Sequence, residues 1–173
     1  MSVLYLVTSA APSHAGPIAD LVVQAQASGW LVFVVSTPLG VRFLDHPRIE
    51  ELTGEPVRSD FRMPGDGKEP PKADAVIAAP ATFNTINKWA TGITDNFALG
   101  LLCELTGYGV PIIAVPMLKP ALATHPAFIN NLDVLRQMGV RVLFDPAAPY
   151  EKRMPTWDDV LTELDQLIGG ISA

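Results

Sequence analysis

Five short apolar runs constrain this chain more than any other feature: Val3 to Val7, Leu31 to Val35, Ala75 to Ala79, Ile112 to Val115 and Arg141 to Phe144. None alternates apolar with polar residues over its length, which is how strands read when both faces of a parallel sheet are covered. Helical patterns fill the gaps: Ile18 to Ala27, a short one near Val41 to Leu44, Thr85 to Ala90 continuing through Asn96 to Leu105, Ala127 to Met138, and Trp157 to Ile168. Strands alternating with helices predict an α/β fold, a single Rossmann-like or flavodoxin-like domain over residues 1–173 with helices on both faces of a parallel sheet.

Local punctuation agrees with that plan. Gly29, Gly107 and Gly139 each follow a helical pattern and precede a strand, as expected where a helix ends in a left-handed residue. Between Thr53 and Lys72 lie Pro56, Pro64, Pro70 and Pro71 with Gly54, Gly65 and Gly67, so this stretch is expected to be a long irregular loop. Thr156-Trp157-Asp158-Asp159 reads as a helix cap followed by an acidic first turn.

Composition narrows the partners. A net charge of −6, with no basic run, argues against binding a nucleic-acid backbone. A hydrophobic fraction of 49% against 17% charged residues suggests that extra surface is buried by self-association. Cys103 is the only cysteine, which excludes an internal disulfide and a cysteine-rich metal site and fits a reducing cytoplasm. The run Val3-Leu4-Tyr5-Leu6-Val7 is too short to span a bilayer and lacks the basic start of a signal peptide, so no membrane partner is expected.

The stretch from Ala78 to Asn96 carries the chemistry. An apolar strand runs into Pro80-Ala81-Thr82-Phe83-Asn84-Thr85 and then a helix, so free backbone N–H groups and the positive end of a helix dipole converge there. Thr82, Asn84 and Thr85 add short hydrogen-bonding side chains that leave room for a planar ligand. The first strand ends in Thr8-Ser9-Ala10-Ala11-Pro12-Ser13-His14-Ala15-Gly16, which lacks the three-glycine dinucleotide fingerprint but suits a mononucleotide phosphate. Ser13 reads equally as a plain cap for the helix starting near Gly16. Asp95 reads as a cap of the helical run after Asn96.

On these residues the chain resembles the homo-oligomeric flavin-containing cysteine decarboxylases, a family that includes phosphopantothenoylcysteine decarboxylase and the lantibiotic peptide decarboxylases. Four positions of the family's PASANT signature match as Pro80, Ala81, Asn84 and Thr85, and its Gly-x-x-Asp-Asn element matches as Gly92, Asp95 and Asn96. The resemblance covers nearly the whole chain and implies FMN as cofactor, held at its phosphate by Ser9 and by Ser36 or Thr37, with Asn96 close to flavin and substrate. It also implies a homotrimer or higher homo-oligomer with the flavin between subunits, to which Phe83, Trp89 and Phe97 are expected to lend apolar surface. Arg42, in a turn similar to the family's, reads more readily as a solvated surface cation than as a contact.

Two catalytic positions depart from the family. Its Pro-x-Met-Asn-x-x-Met pattern falls on Pro116-Met117-Leu118-Lys119-Pro120-Ala121-Leu122, so Leu118 stands at the methionine and Lys119 at the asparagine that contacts the substrate carboxylate. Its histidine, expected shortly before the third strand, has no counterpart in Met63-Pro64-Gly65-Asp66-Gly67-Lys68. Lys119, His125 and His14 are the catalytic candidates that remain, Lys119 as an anion-binding point charge and either histidine as a proton-transfer group. Lys152-Arg153-Met154-Pro155 resembles the Arg-Met-Pro of the family's substrate-covering flap.

Three functions stay open at this point. One is a flavin-dependent enzyme acting on a small-molecule or peptide carboxylate, whose family prototype oxidises the thiol-bearing carbon so that carbon dioxide leaves. The second is a regulatory or binding oligomer that holds FMN without decarboxylating. The third is a different flavin enzyme, a UbiX-like prenyl transferase or a reductase.

Overall fold

Every residue of the first strand, β1 (Val3–Thr8), is buried, because the two sets of alternating side chains enter two different cores. Val3, Tyr5 and Val7 join one core, and Leu4 and Leu6 join the other. The computed structural model describes residues 1–13, 16–61, 63 and 70–171. Among them β1, β2 (Leu31–Ser36), β3 (Ala75–Ala81), β4 (Ile112–Pro116) and β5 (Arg141–Val142) form one five-stranded sheet in the order β2-β1-β3-β4-β5. All four pairings are parallel, with Val3 opposite Leu31, Leu4 opposite Ala75, Val76 opposite Ile112 and Ile113 opposite Arg141. This is the flavodoxin-like order, and it bears out the α/β expectation.

The helices that cover the sheet are α1 (Ile18–Ala27), α2 (His46–Thr53), α3 (Phe83–Ala90), α4 (Phe97–Gly107), α5 (Pro120–Ala123), α6 (Pro126–Gln137) and α7 (Trp157–Ile171). Ile86 and Trp89 of α3, Leu99 and Leu102 of α4, and Phe128 of α6 pack on the face that carries Tyr5. Leu21 and Val22 of α1 and Val160 and Leu164 of α7 pack on the opposite face. Thr156 and Asp159 cap α7 reciprocally: the Thr156 peptide N–H and hydroxyl donate to the Asp159 carboxylate at 3.2 and 2.7 Å, and the Asp159 N–H donates to the Thr156 hydroxyl at 3.2 Å.

Several local expectations are corrected. Helix α2 lies within what reads as polar connection, since only Ile49 of its eight residues is buried and no apolar stripe advertises it. Its ends are nonetheless marked, by the Asp45 side chain accepting from the Arg48 N–H at 3.2 Å and by Gly54 at φ 70°. Gly107 is the last residue of α4, and the left-handed residue is Gly109 at φ 70°, whereas Gly29 and Gly139 are left-handed as expected. β5 stops at Val142 rather than Phe144, and the helical run through Asn96 is two helices separated by Thr91 to Asn96. Trp89 is only 1% exposed and belongs to the core instead of an oligomer surface, whereas Phe83 and Phe97 are partly buried and pack against that core.

Candidate functional site

In the order β2-β1-β3-β4-β5 the chain leaves β1 toward one edge of the sheet and β3 toward the other, which opens a crevice at the carboxyl ends of β1 and β3. A ladder of hydroxyl groups ties that crevice together. Ser9 Oγ lies 2.7 Å from Thr85 Oγ1, which lies 3.0 Å from Thr82 Oγ1. The Ser9 N–H donates to the Pro80 carbonyl at 3.0 Å, and the Thr85 N–H donates to Thr82 Oγ1 at 3.2 Å, capping α3. On the other side Thr8 Oγ1 donates to Ser36 Oγ at 3.0 Å, and the Thr37 N–H donates to the Thr8 carbonyl at 2.9 Å. Thr8, Ser9, Ser36 and Thr85 are all buried, so their hydroxyls satisfy one another within the fold.

Gly40 sits where these loops meet, in the 3-10 turn Gly40–Phe43. Its N–H donates to Thr37 Oγ1 at 3.1 Å, and a Cβ on it would fall 2.6 Å from Ser36 Oγ and 3.0 Å from the Ser9 carbonyl carbon. Only glycine lets the turn after β2 approach the loop after β1 this closely.

Above the ladder lies a cavity of about 690 Å³. The loops after β1, β2, β3 and β4 wall it through Ala10 to Pro12, Thr37 to Leu39, Thr82 to Thr85 and Met117 to Lys119, and Asn96, Leu99, Leu122 and Tyr150 complete it. Its volume suits a flat, drug-sized ligand, and its walls are mainly apolar with a few polar groups placed around them. Among the described residues no aspartate or glutamate lines it, although the chain holds 18 acidic residues against 12 Lys and Arg, and Lys119 is the one described lining residue of formal charge at neutral pH. Such a cavity favours an anionic ligand over a cationic one.

The structure distributes the expected site residues as follows. Thr37, Thr82, Asn84, Thr85, Asn96 and Lys119 line this cavity together. Ser9 and Pro80 line a smaller neighbouring one of about 310 Å³, with Ser13 and Gly16. Ser36 and Ala81 lie buried behind the walls, and the Ala81 carbonyl accepts from the Met117 N–H at 2.9 Å. Asp95 is exposed and ion-paired to Lys88, away from the lining; the cap of α4 is Asn96, whose Oδ1 accepts from the Leu99 N–H at 3.1 Å. Ser13 caps no helix either, since its hydroxyl points to Met154 Sδ at 3.6 Å and α1 starts after Pro17 without a side-chain cap.

His125 stands outside the cavity. Its Nδ1 accepts from the Ala127 N–H at 3.1 Å and caps α6, while its ring meets the edge of Phe83 at 5.5 Å. A proton on Nδ1 would remove that cap, so only Nε2 is free for exchange. His14 lies outside the described residues, as does most of the Met63 to Lys68 neighbourhood. Cys103 packs between α3 and α4, where burial pushes its thiol up, away from the thiolate a nucleophile needs. Among the described residues no group of His, Cys, Asp or Glu could hold a metal, and no helix is long and apolar enough to cross a membrane.

Sequence reasoning did not single out Gly40 or Tyr150. Gly40 is betrayed only by the crowding around it, and Tyr150, just before the stretch that resembles the flap, carries no signal of its own that it reaches the cavity.

A family model described as Flavoprotein matches residues 3–169. Among curated proteins, the chain is 33% identical over 98 residues to a cysteine/cysteine sulfinic acid decarboxylase of an unknown prokaryotic organism, covering 53% of this chain and 26% of that protein. It is 32% identical over 122 residues to the coenzyme A biosynthesis bifunctional protein CoaBC of Mycobacterium tuberculosis, covering 67% of this chain and 28% of that protein. The match thus spans little more than a quarter of either relative. Among solved structures, the FMN-dependent cysteine decarboxylase TvaF from thioviridamide biosynthesis superposes with a TM-score of 0.71 at 26% identity, covering 95% of this chain and 98% of that one.

Proposed function

The chain belongs to the Flavoprotein family, and from that premise we propose that it binds FMN in the cavity between the ends of β1 and β3 and acts as a flavin-dependent enzyme on a small or peptide-borne carboxylate. The observation that carries this reading is the cavity itself: apolar walls, amide and hydroxyl groups of Thr82, Asn84, Thr85 and Asn96 and, among the described residues, a single cation and no acid. The residues present fit the cofactor, because the hydroxyl ladder beneath is already satisfied and the Asn84 amide on the cavity lining is left without a partner among the described residues.

Thr37, with Ser9 from the adjoining smaller cavity, would frame the phosphate end while Ser36 braces the turn from behind, and Thr82 to Thr85 and Asn96 would border the ring. Bound there, FMN supplies a two-electron acceptor for the carbon beside a substrate thiol or similar group. Lys119 would hold the substrate carboxylate by charge, with the directional amide of the family's pattern replaced. Phe83, Leu99, Met117 and Leu122 would keep water from the reacting carbon. A homotrimer is part of the same proposal, as is a cytoplasmic setting. Lys119 also favours a second reading, an FMN-binding oligomer that does not decarboxylate, because a flexible ammonium on a long stem positions a carboxylate less tightly than an amide does.

One experiment tests both readings. The purified protein is expected to be yellow and to release FMN rather than FAD on denaturation, and a colourless protein that ignores added FMN would refute the cofactor. The loaded protein is then given phosphopantothenoylcysteine and a peptide ending in cysteine, with mass spectrometry for loss of carbon dioxide. Turnover is expected to fall short of a decarboxylase with intact proton-transfer and carboxylate groups by roughly 10² to 10⁴. Efficient turnover of either compound would show that Lys119 or another group supplies the lost chemistry.

A further inference from the structure

Outside β2 the sheet gains one more rung. Arg58 pairs in parallel with Val35: its N–H donates to the Val34 carbonyl at 3.0 Å, and the Ser36 N–H donates to the Arg58 carbonyl at 2.8 Å. Paired residues in a sheet share a face, so Arg58 is sent to the side that carries Val35 and Tyr5, while its neighbour Val57 packs in the opposite core. A cation is thereby set beside an apolar sheet face. Its Nε is enclosed and bonds to nothing, and the described residues give its guanidinium neither a hydrogen bond nor an ion pair, since their ion pairs use Arg48, Lys88, Arg136 and Arg141. Arginine stays protonated and offers five N–H donors in a planar fork, so an enclosed one without a partner lacks what it is shaped to hold.

Arg58 lines a second cavity, of about 620 Å³. This cavity follows one flank of α4, where Phe97, Leu101 and Leu105 recur on a single helical stripe that Tyr108 continues. Tyr5 of the sheet and the segment from Pro70 to Ala73 line it too, and the Tyr5 hydroxyl ties them together by donating to the Pro71 carbonyl at 2.9 Å. Ala73 precedes β3 and Val110 precedes β4, so the cavity reaches the amino ends of the strands, whereas the cavity of about 690 Å³ lies at their carboxyl ends. The two share no described lining residue. Charge within the second cavity is also distinctive: its described charged residues are Arg58, Lys72 and Glu104, two cations against one acid in a chain of net charge −6. Lys72 and Glu104 are exposed, and Arg58 is half-buried.

We propose that this cavity is a second small-molecule site, independent of the flavin reading, and that its ligand is a monocarboxylate with an apolar body. The carboxylate takes the free N–H groups of Arg58, which match its two oxygens, and the body lies along the stripe of Phe97, Leu101 and Leu105. Lys72 adds attraction from the exposed side. Glu104 repels a second acid group, which selects a monoanion over a dicarboxylate or a phosphate ester.

The test is calorimetric titration of the full chain, saturated with FMN to keep the probe out of the other cavity. Phenylbutyrate is the probe, and phenylbutanol, similar in shape but uncharged, is its control. Wild type is expected to bind one phenylbutyrate per chain, with phenylbutanol roughly ten- to a hundredfold weaker. Arg58→Met keeps an apolar stem and is expected to bind both compounds alike, while melting no lower than wild type because an uncompensated charge has been removed. Arg58→Lys keeps the charge without the fork, and a reduced preference for the acid is expected; this variant decides the matter if Arg58→Met does not fold. Equal affinity of wild type for the two compounds, or a preference for the acid that survives in both variants, would overturn the proposal. So would the absence of binding to wild type at millimolar probe, the result that a second copy of the chain seated over this opening would give. Flavin content is read in the same samples: a protein that takes up no FMN sinks the cofactor reading, and the comparison at Arg58 still decides this inference.

Discussion

Asn84 shows how much a single side chain contributes to the site. It is exposed in the first turn of α3 and faces the cavity, with no partner holding its amide among the hydrogen bonds of the described residues. Its neighbours differ: Thr82 and Thr85 spend their hydroxyls on each other and on Ser9, and Asn96 spends its Oδ1 on the Leu99 N–H. Asn84 alone of these four keeps a donor and an acceptor wholly for a ligand, which an amide can serve at once. Asn84→Ala is therefore expected to weaken FMN binding by about 1 to 3 kcal/mol once the ligand has buried the site. Fluorescence titration of the flavin-free protein measures it, and unchanged affinity would remove Asn84 from the contacts. Because Asn84 is exposed and unpartnered in the fold, the same variant should leave the melting temperature of the flavin-free protein unaltered.

At the scale of elements, the meeting of the turns after β1 and β2 is the most demanding part of the structure. A methyl group on Gly40 would press on Ser36 Oγ, Thr37 Oγ1 and the backbone of Ser9 together, and the backbone carbon cannot rotate aside. Gly40→Ala should cost about 1–3 kcal/mol of stability, the usual range for overpacking, and lower the melting temperature accordingly. Calorimetry that finds no change would mean the two turns separate freely. This junction was hard to read from sequence because it joins residues far apart in the chain, whereas strands and most helices are written in runs of neighbours. The apolar runs of β1 to β4 announced themselves since both faces are covered, and the Thr156 to Asp159 cap was legible from four adjacent residues. α2 escaped because one buried residue leaves no stripe, although Asp45, Pro47 and Gly54 mark its ends. The flap-like Lys152 to Pro155 was legible as a motif, whereas the place of Tyr150 on the cavity wall was not.

For the whole molecule, the decisive feature is the apolar surface that the described residues expose beside the cavity. Leu39 and Leu122, both lining the cavity, are 58% and 37% exposed, and Phe43, which lines the smaller neighbouring cavity, is 53% exposed. Phe61 and Ile93 add further exposed apolar surface at 58% and 45%. Scattered apolar residues need no explanation, but several around a binding cavity leave a bound flavin exposed to water on one side. A second copy of the chain laid over the rim would bury them and close the site, so binding and assembly should strengthen each other. The expectation is a homotrimer, measured by light scattering at micromolar concentration, with FMN shifting the balance further toward it. Leu39→Glu should weaken both assembly and flavin retention, because a charge placed at the rim would have to be buried without a partner. A protein that stays monomeric with FMN bound, and a Leu39→Glu variant that holds FMN as tightly as wild type, would show that one chain closes the cavity by itself.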